Sequence, residues 1–258
     1  MNKDKIGIGV ITYNRENLFR RCIKSIPQIG EIVVINDGRE YDNSLYPSHV
    51  EVIQHKVNTG VGIAKNDAFK YLLDKDCEYI FTVEDDILVR QPRVFEDYVK
   101  ACKVSGIQHF NFGLHSKVNR TLGGLPNFRL ILDYPEGVRI GFFNACIGAL
   151  SFYSKTCLKH VGFMDENFYN AWEHPEHTLR IINAGMHPAY WWFADLANID
   201  DLLIEMDSGV EPLWSKSLPN AADYFLVKHG AKPNGIRDTS REEVLLQLKR
   251  IQQEYGKK

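Results

Sequence analysis

Two apolar runs, EIVVIND at 31–37 and EYIFTVEDD at 78–86, restrict the fold most. Neither alternates polar with apolar residues, and a strand apolar on both faces belongs in a parallel sheet covered by helices on each side. KIGIGVIT reads as a first, glycine-bearing strand. After it, Leu18, Phe19, Cys22, Ile23 and Ile26 share one helical face, with Asn14 as the expected N-cap. VEVIQ is a further short strand, and NTGVGIAKNDAFKYLLDK is a helix entered through a glycine-bearing turn, its face carrying Val61, Ala64, Ala68 and Leu72. The order strand, helix, strand, strand, helix, strand is that of a nucleotide-binding α/β half-sheet, whose ligands sit at the C-terminal strand ends. Thr12, Tyr13 and Asn14, then Asn36 and Asp37, then Glu84, Asp85 and Asp86 are therefore expected to rim one crevice.

Length and charge narrow the classes. The 258 residues suffice for one large α/β domain, or one domain with a small appendage, and a net charge of −2 does not make the chain a general trap for nucleic acid or anionic lipid. No apolar run reaches the roughly 18 residues of a membrane span. The opening MNKDKIGIGV lacks the apolar core and cleavage site of a signal peptide. Cys22, Cys77, Cys102, Cys146 and Cys157 are odd in number, scattered and without a CxxC, so they read as free thiols in a reducing cytosol and not as zinc ligands. A cytoplasmic protein, with peripheral membrane contact left open, is the expectation.

The middle, about 105 to 153, mixes short strands with turns such as TLGGLPN and DYPEG and reads as a loop-rich region. FNACIGALSFYS looks like a strand returning to the sheet, KTCLKHVG like a short helix, AWEHPEHTLRIINAG like a helix ending at Gly185, and AYWWFAD like a late apolar strand. Of Tyr190, Trp191, Trp192 and Phe193, alternation sends about half inward, and one ring is free to stack on a sugar. The final helix is expected to open with a Thr239-x-x-Glu242 capping box and to bury Val244, Leu248, Ile251 and Tyr255. Lys228, Lys232, Arg237, Arg241, Lys249, Arg250, Lys257 and Lys258 make this tail mildly basic, which reads as a solvated face or as a surface for an anionic acceptor.

Three adjacent carboxylates at a strand end need a reason to be close. A divalent cation supplies one, since magnesium and manganese prefer hard oxygen ligands and take one or two carboxylates together with substrate phosphates and water. Solvated acids at a strand-end turn are the plain alternative. Asp37 can accept a pyrimidine N–H or form an Asx turn before Gly38. Asn58, Gly60, Lys65 and Asn66 surround a helix start, a place suited to phosphate or ribose, with Lys65 as a point charge.

ITYNR, VINDG, NTGVGIAKN and VEDDILV, in that order, resemble the successive motifs of family 2-type glycosyltransferases with the GT-A fold. The resemblance covers most of the first half and implies a Rossmann-like, mainly parallel central sheet flanked by helices, with a smaller acceptor-side region. It implies Mn2+ or Mg2+ as cofactor, with Asp86 as the metal ligand and Asp85 beside it. The family's nucleotide contacts would fall on Thr12, Asn14, Asp37 and Lys65, and Arg15, Asn58, Gly60, Glu84 and Asp85 are further candidates for binding the nucleotide sugar. VGFMDENFYNAWEHPEHTLRIINAG is similar to a second family pattern, in which Asp165 and Glu166 hold the first acidic pair, Trp172 and Glu173 the next positions and Arg180 the later arginine. His174 stands where an aspartate is common and often acts as general base, so either Glu173 or His174 does that work. Asp165, Glu166, Trp172 and Asp195 are the acceptor-side candidates; Asn198, and His187 and His229 as extra metal ligands, are weaker ones.

The implied activity is metal-dependent transfer, with inversion, from a nucleotide diphosphate sugar, with uridine as the expected base, to an acceptor hydroxyl. The implied organisation is one catalytic domain over 1–225, split into a nucleotide-binding half (1–104) and an acceptor half (105–225), with a helical extension over 226–258. A nucleotidyltransferase that makes nucleotide sugars competes with this reading, as do a non-catalytic sugar-binding module and transfer to a modified nucleic-acid base. Against the first, ITYNRE lacks a glycine- and basic-rich loop.

Overall fold

The computed structural model describes residues 4–114, 117–207 and 214–256; Lys257 and Lys258 of the basic tail lie outside them. Strand β1 (Ile6–Thr12) is buried throughout. Helix α1 (Glu16–Ser25) buries Phe19, Cys22 and Ile23, the face the periodicity marks. Then come β2 (Glu31–Asn36), β3 (Glu51–Gln54), α2 (Val61–Asp74) and β4 (Tyr79–Glu84). Beyond the acid trio run β5 (Ile87–Val89), α3 (Val94–Ser105), β6 (His109–Asn111), β7 (Leu130–Tyr134), β8 (Val138–Phe143), β9 (Leu150–Ser154) and α4 (Lys155–Val161). The chain ends through α5 (Glu173–Asn183), β10 (Phe193–Leu196), α6 (Ile199–Leu202), β11 (Leu203–Glu205), α7 (Trp214–His229) and α8 (Arg241–Tyr255).

The central sheet has the order β3-β2-β1-β4-β9-β6. Its first four strands are parallel, and β9 runs antiparallel to both β4 and β6. From β1 the chain moves outward through β2 and β3, then returns to place β4 on the other side of β1. That reversal opens a crevice at the C-terminal ends of β1 and β4, where an open α/β sheet binds its ligand. Thr12 and Glu84 are the last residues of those two strands. A second sheet has the order β10-β8-β7, and β5 pairs with β11 apart from both sheets.

Four local expectations are corrected. Asn14 does not cap α1: it has φ +54, and its Oδ1 accepts from Arg39 N at 2.9 Å, tying the β1 end to the β2 end. FNACIGALSFYS is not one strand, because β8 stops at Phe143 in the second sheet and β9 starts at Leu150 in the first. AYWWFAD is a strand only from Phe193; Trp191 takes φ +69 in the turn before it. The α8 cap is Ser240, whose hydroxyl accepts from Glu243 N, one residue beyond the expected box.

The tail is part of the main core. Val244, Leu248 and Ile251 of α8 join the same apolar cluster as β1, β4 and α3, and α7 runs through residue 226. All five cysteines are free and buried. Among the described residues no helix is long and apolar enough to cross a membrane.

Candidate active site

The acid trio divides three ways because β4 ends inside it. Glu84 is the last strand residue, and its Oε1 accepts from Lys65 Nζ at 2.8 Å. Asp85 turns inward and is fully buried; its Oδ2 accepts from Thr12 Oγ at 2.6 Å, and its Oδ1 contacts the Arg15 guanidinium. Asp86 Oδ2 accepts from Arg15 Nη1 at 2.9 Å. Arg15 thus bridges two of the three acids. Its backbone N–H is fixed by the Tyr41 hydroxyl at 2.9 Å, and the same hydroxyl lies 2.9 Å from Thr12 Oγ. Burial pushes the Asp85 carboxyl up to about 7, against the opposing pull of Arg15 and Thr12. Asp85 and Asp86 together hold Arg15 above its ordinary value in spite of its burial.

Lys65 departs from its expected role. It sits on the buried face of α2 at 0% exposure, and besides Glu84 it donates to Gly148 O at 2.9 Å. Its ammonium is also 3.7 Å from Glu173 Oε1. Lys65 therefore points into the protein, where it ties the β4 end to the start of α5, and does not reach toward a phosphate. Burial works against its charge, but Glu84 and Glu173 outweigh that and raise it. The helix start is closed as well. Val61 N donates to Asn170 Oδ1 at 3.0 Å, Asn58 Oδ1 accepts from the Tyr169 hydroxyl at 2.7 Å, and Gly60 N donates to Asp37 Oδ2 at 2.9 Å. A Cβ at Gly60, where φ is +93, would lie 2.7 Å from the Tyr169 ring. Only glycine lets that ring pack on the turn. Asn58 and Gly60 are accordingly committed to this closure and not to phosphate.

Asp37 shapes the same turn. Its Oδ1 accepts from Thr59 N (2.7 Å) and Thr59 Oγ (2.8 Å) and lies 2.7 Å from His55 Nδ1. The expected pyrimidine contact can therefore reach only Oδ2, which holds one donor.

Glu173 and His174 come to the crevice from the other half of the chain, through backbone that few residues adopt: Asn170 and Trp172 have φ +55 and +65. His174 Nδ1 lies 3.1 Å from Glu173 Oε1, and His174 Nε2 lies 3.2 Å from Cys146 O. Both ring nitrogens face acceptor oxygens, so a neutral ring donates to one of them and sets its lone pair against the other, a placement that suits orienting Glu173. Glu173 is buried, which by itself would raise its carboxyl, yet His174 and Lys65 hold it below its ordinary value.

The acceptor-side candidates separate. Asp195 is corrected: it is fully buried, accepting from the Tyr98 hydroxyl at 2.5 Å, Gly113 N at 2.6 Å and Leu196 N at 2.7 Å, and it cannot touch an acceptor. Asp165 accepts from Lys228 Nζ at 2.6 Å and from the Tyr224 hydroxyl, pinning α7. Burial opposes its charge, but those donors and Asn167 hold it lowered. Glu166 is exposed and takes a long bond from Asn66 Nδ2, 3.3 Å. Trp172 packs against the Phe168–Phe225 cluster. His187 is buried, and its Nε2 accepts from Ala194 N, while His229 Nε2 lies against Glu176, so neither is available to a metal. Tyr190 and Phe193 are core, and the indoles of Trp191 and Trp192 donate to Ile236 O and Thr239 O.

Sequence reasoning missed Tyr41, Tyr169 and Glu205. Glu205 follows the β5–β11 pairing to the side of Asp86, whose carbonyl accepts from Met206 N at 2.7 Å; burial and then Asp86 push its carboxyl up to about 7. None of the three carries a local signal, since each reaches the site through pairing or loop packing.

No three His, Cys, Asp or Glu side chains converge on one point among the described residues. Asp86, with the fully buried Asp85 behind it, nevertheless offers hard carboxylate oxygens at the β4 end. A magnesium or manganese ion that shares its coordination with a diphosphate needs only one or two carboxylates, so the residues fit such an ion once Arg15 yields Asp86.

Residues 8–107 match the family described as Glycosyl transferase family 2. No curated protein matches the chain in sequence. Among solved structures, the chain is similar to the mannosyltransferase PcManGT from Pyrobaculum calidifontis in complex with GDP-Man and Mn2+, with a TM-score of 0.56 and 13% identity over 90% of this chain and 67% of that one. It is also similar to GalNAc-T7 with UDP, GalNAc and Mn2+, with a TM-score of 0.59 and 12% identity over 98% of this chain and 55% of that one. At such identities the likeness is one of fold, and the fold is GT-A. Together with the match over residues 8–107, this fold marks a glycosyltransferase, an enzyme that moves a sugar from a nucleotide sugar to an acceptor.

Proposed function

We propose that the enzyme is metal-dependent and inverting, with a uridine diphosphate sugar as donor and a hydroxyl as acceptor. One observation carries this reading: β1, β4 and the start of α5 bring Thr12, Asp85, Asp86 and Glu173 to a single crevice, with Lys65 joining Glu84 to Glu173. Residues 1–104 form the donor half and 105–225 the acceptor half in this proposal. Asp86, with Asp85 behind it, would hold Mn2+ or Mg2+, which supplies neutralisation of the charge that builds on a leaving diphosphate. Both similar structures were solved with Mn2+, one with GDP-Man and one with UDP. Thr12 and Asp37 Oδ2 face the nucleoside. Glu173 takes the proton of the acceptor hydroxyl, and His174 orients it. The hydroxyl then attacks the anomeric carbon from the face opposite the diphosphate. The five free thiols suit a reducing compartment, and a cytoplasmic location is part of this proposal.

The family match favours glycosyl transfer over nucleotidyl transfer. The test is thermal shift with Mn2+ and a series of nucleotide sugars, together with release of UDP from UDP-sugar. Stabilisation by a uridine diphosphate sugar is expected. Asp86→Ala should keep its melting temperature without ligand but lose both the Mn2+-dependent shift and UDP release, and wild type should lose release in EDTA. Full release in EDTA, or stabilisation only by nucleoside triphosphates, sinks the reading.

A further inference from the structure

Arg15 contacts both carboxylates that the proposed function assigns to a cation, Asp85 through one terminal nitrogen and Asp86 through the other. Among the described residues, Arg15 and Lys65 are basic side chains that touch the acid trio, and they differ in what they can do. Lys65 is locked: it is fully buried, rooted in α2 and bound to Glu84 and Gly148 O. Arg15 lies on the connection between β1 and α1, with its side chain 28% exposed. Its backbone is fixed by Tyr41, while among the described residues the guanidinium is anchored by the two acids. It can turn outward about its side-chain torsions without moving the main chain.

The phosphate-binding features expected on α2 are closed, since Asn170 caps Val61 N and Lys65 faces inward. A diphosphate entering at the β1 and β4 ends therefore meets Arg15 as the cation of the trio that is free to move, and a guanidinium matches two phosphate oxygens as well as it matches two carboxylates.

We infer that Arg15 is an exchangeable counter-ion: without donor it fills the place of the metal between Asp85 and Asp86, and on donor binding it passes to the diphosphate and releases Asp86 for the cation. This rests on the proposed assignment of Asp86. It makes Arg15 a positioning residue that couples the two ligands. Each must favour the other's binding, and by the same factor.

The test measures free Mn2+ by electron paramagnetic resonance during titration of the enzyme, with and without UDP. Wild type should bind Mn2+ weakly alone and more tightly with UDP. Arg15→Gln should bind Mn2+ alone about tenfold more tightly, the scale of one charge-assisted hydrogen bond lost from the competitor, and the factor by which UDP tightens Mn2+ should shrink by a similar amount. Asp86→Asn added to Arg15→Gln should abolish the gain. Should Arg15→Gln fail to fold, Arg15→Lys carries the test: one ammonium cannot span both acids, and a tightening of about threefold is expected. Unchanged or weaker Mn2+ binding in the nucleotide-free arm overturns the inference. Failure of every uridine or guanosine diphosphate to bind wild type would instead remove the proposed function, and the nucleotide-free arm would still decide the role of Arg15.

Discussion

Asp85, at the β4 end, and Asp195, in β10, are both fully buried, and burial pushes both carboxyls up to about 7. Each takes one short hydroxyl bond, from Thr12 at 2.6 Å and from Tyr98 at 2.5 Å. Their other partners differ. Asp195 is completed by the backbone N–H groups of Gly113 and Leu196, which cannot leave. Asp85 is completed by a guanidinium on a connecting segment, which can. A buried carboxyl enclosed by neutral main-chain donors is a structural fixture. One enclosed by a mobile cation is a binding site whose first occupant belongs to the protein. Burial and a raised carboxyl alone would have assigned both to function; only the kind of partner separates them.

The comparison implies that acids on the crevice side should cost rate when replaced, and acids on the core side stability. The largest effect is expected at Glu173. Glutamine keeps an acceptor for His174, and Lys65 keeps Glu84, so Glu173→Gln should fold while kcat falls about 10²–10⁴-fold, the usual share of a general base. The pH profile gives a second reading. Glu173 is held below its ordinary 4.5, so it stays ionised as pH falls, and the wild-type rate should hold its plateau until below that value. An acid limb near the ordinary imidazole value, about 6.5, would transfer the role to His174.

Next in size is the core side. In the folded protein Asp195 keeps its proton up to about pH 7, while in the unfolded chain it loses it near its ordinary 3.8. The folded form thus binds the extra proton between those values, and its contribution to stability is full below about pH 4 and is lost as pH rises through 7. Asparagine cannot titrate. It keeps an acceptor toward Tyr98 and Leu196 but sets an amide N–H against Gly113 N, a cost of about 1–3 kcal/mol. Asp195→Asn should therefore be less stable than wild type at pH 5, and the gap should close toward pH 8 in denaturant titrations. A gap independent of pH would mean that Asp195 is ionised in the fold. UDP release per folded molecule should not change.

The sequence showed which strand ends meet, because apolar runs and helical stripes fix which face is buried and the doubly wound order fixes where the ends converge. It also marked Asp86 and Glu173 as neighbours of one crevice, through the resemblance of two separated motifs. It did not show partner choice. Lys65 looks like an exposed helix lysine in NTGVGIAKN, and only the packing of α2 against β4 and the start of α5 reveals that its ammonium faces inward. Asp195 follows an aromatic run that suggests a sugar platform, yet β10 pairs with β8 and turns it into the core. Both errors have one cause: polarity along the chain does not say which way a polar side chain points when it can be satisfied inside.

The smallest expected effects come from the matched hydroxyls, and they test the comparison most directly because the chemistry removed is the same on each side. Tyr98→Phe leaves Asp195 with two backbone donors that cannot move to compensate. A buried bond of this kind contributes about 1–2 kcal/mol, or roughly 2–8 °C in melting temperature for a chain of this size, and transfer should be unaffected. Thr12→Val leaves Asp85 with Arg15, which can shift onto the vacated oxygen, so the melting temperature should move by no more than about 2 °C. Arg15 would then be held more tightly on the acids, and Mn2+ with UDP should bind several-fold more weakly. Equal losses of stability in the two variants, with no change in ligand binding, would show that Asp85 is as fixed as Asp195 and that the guanidinium between the acids is structural.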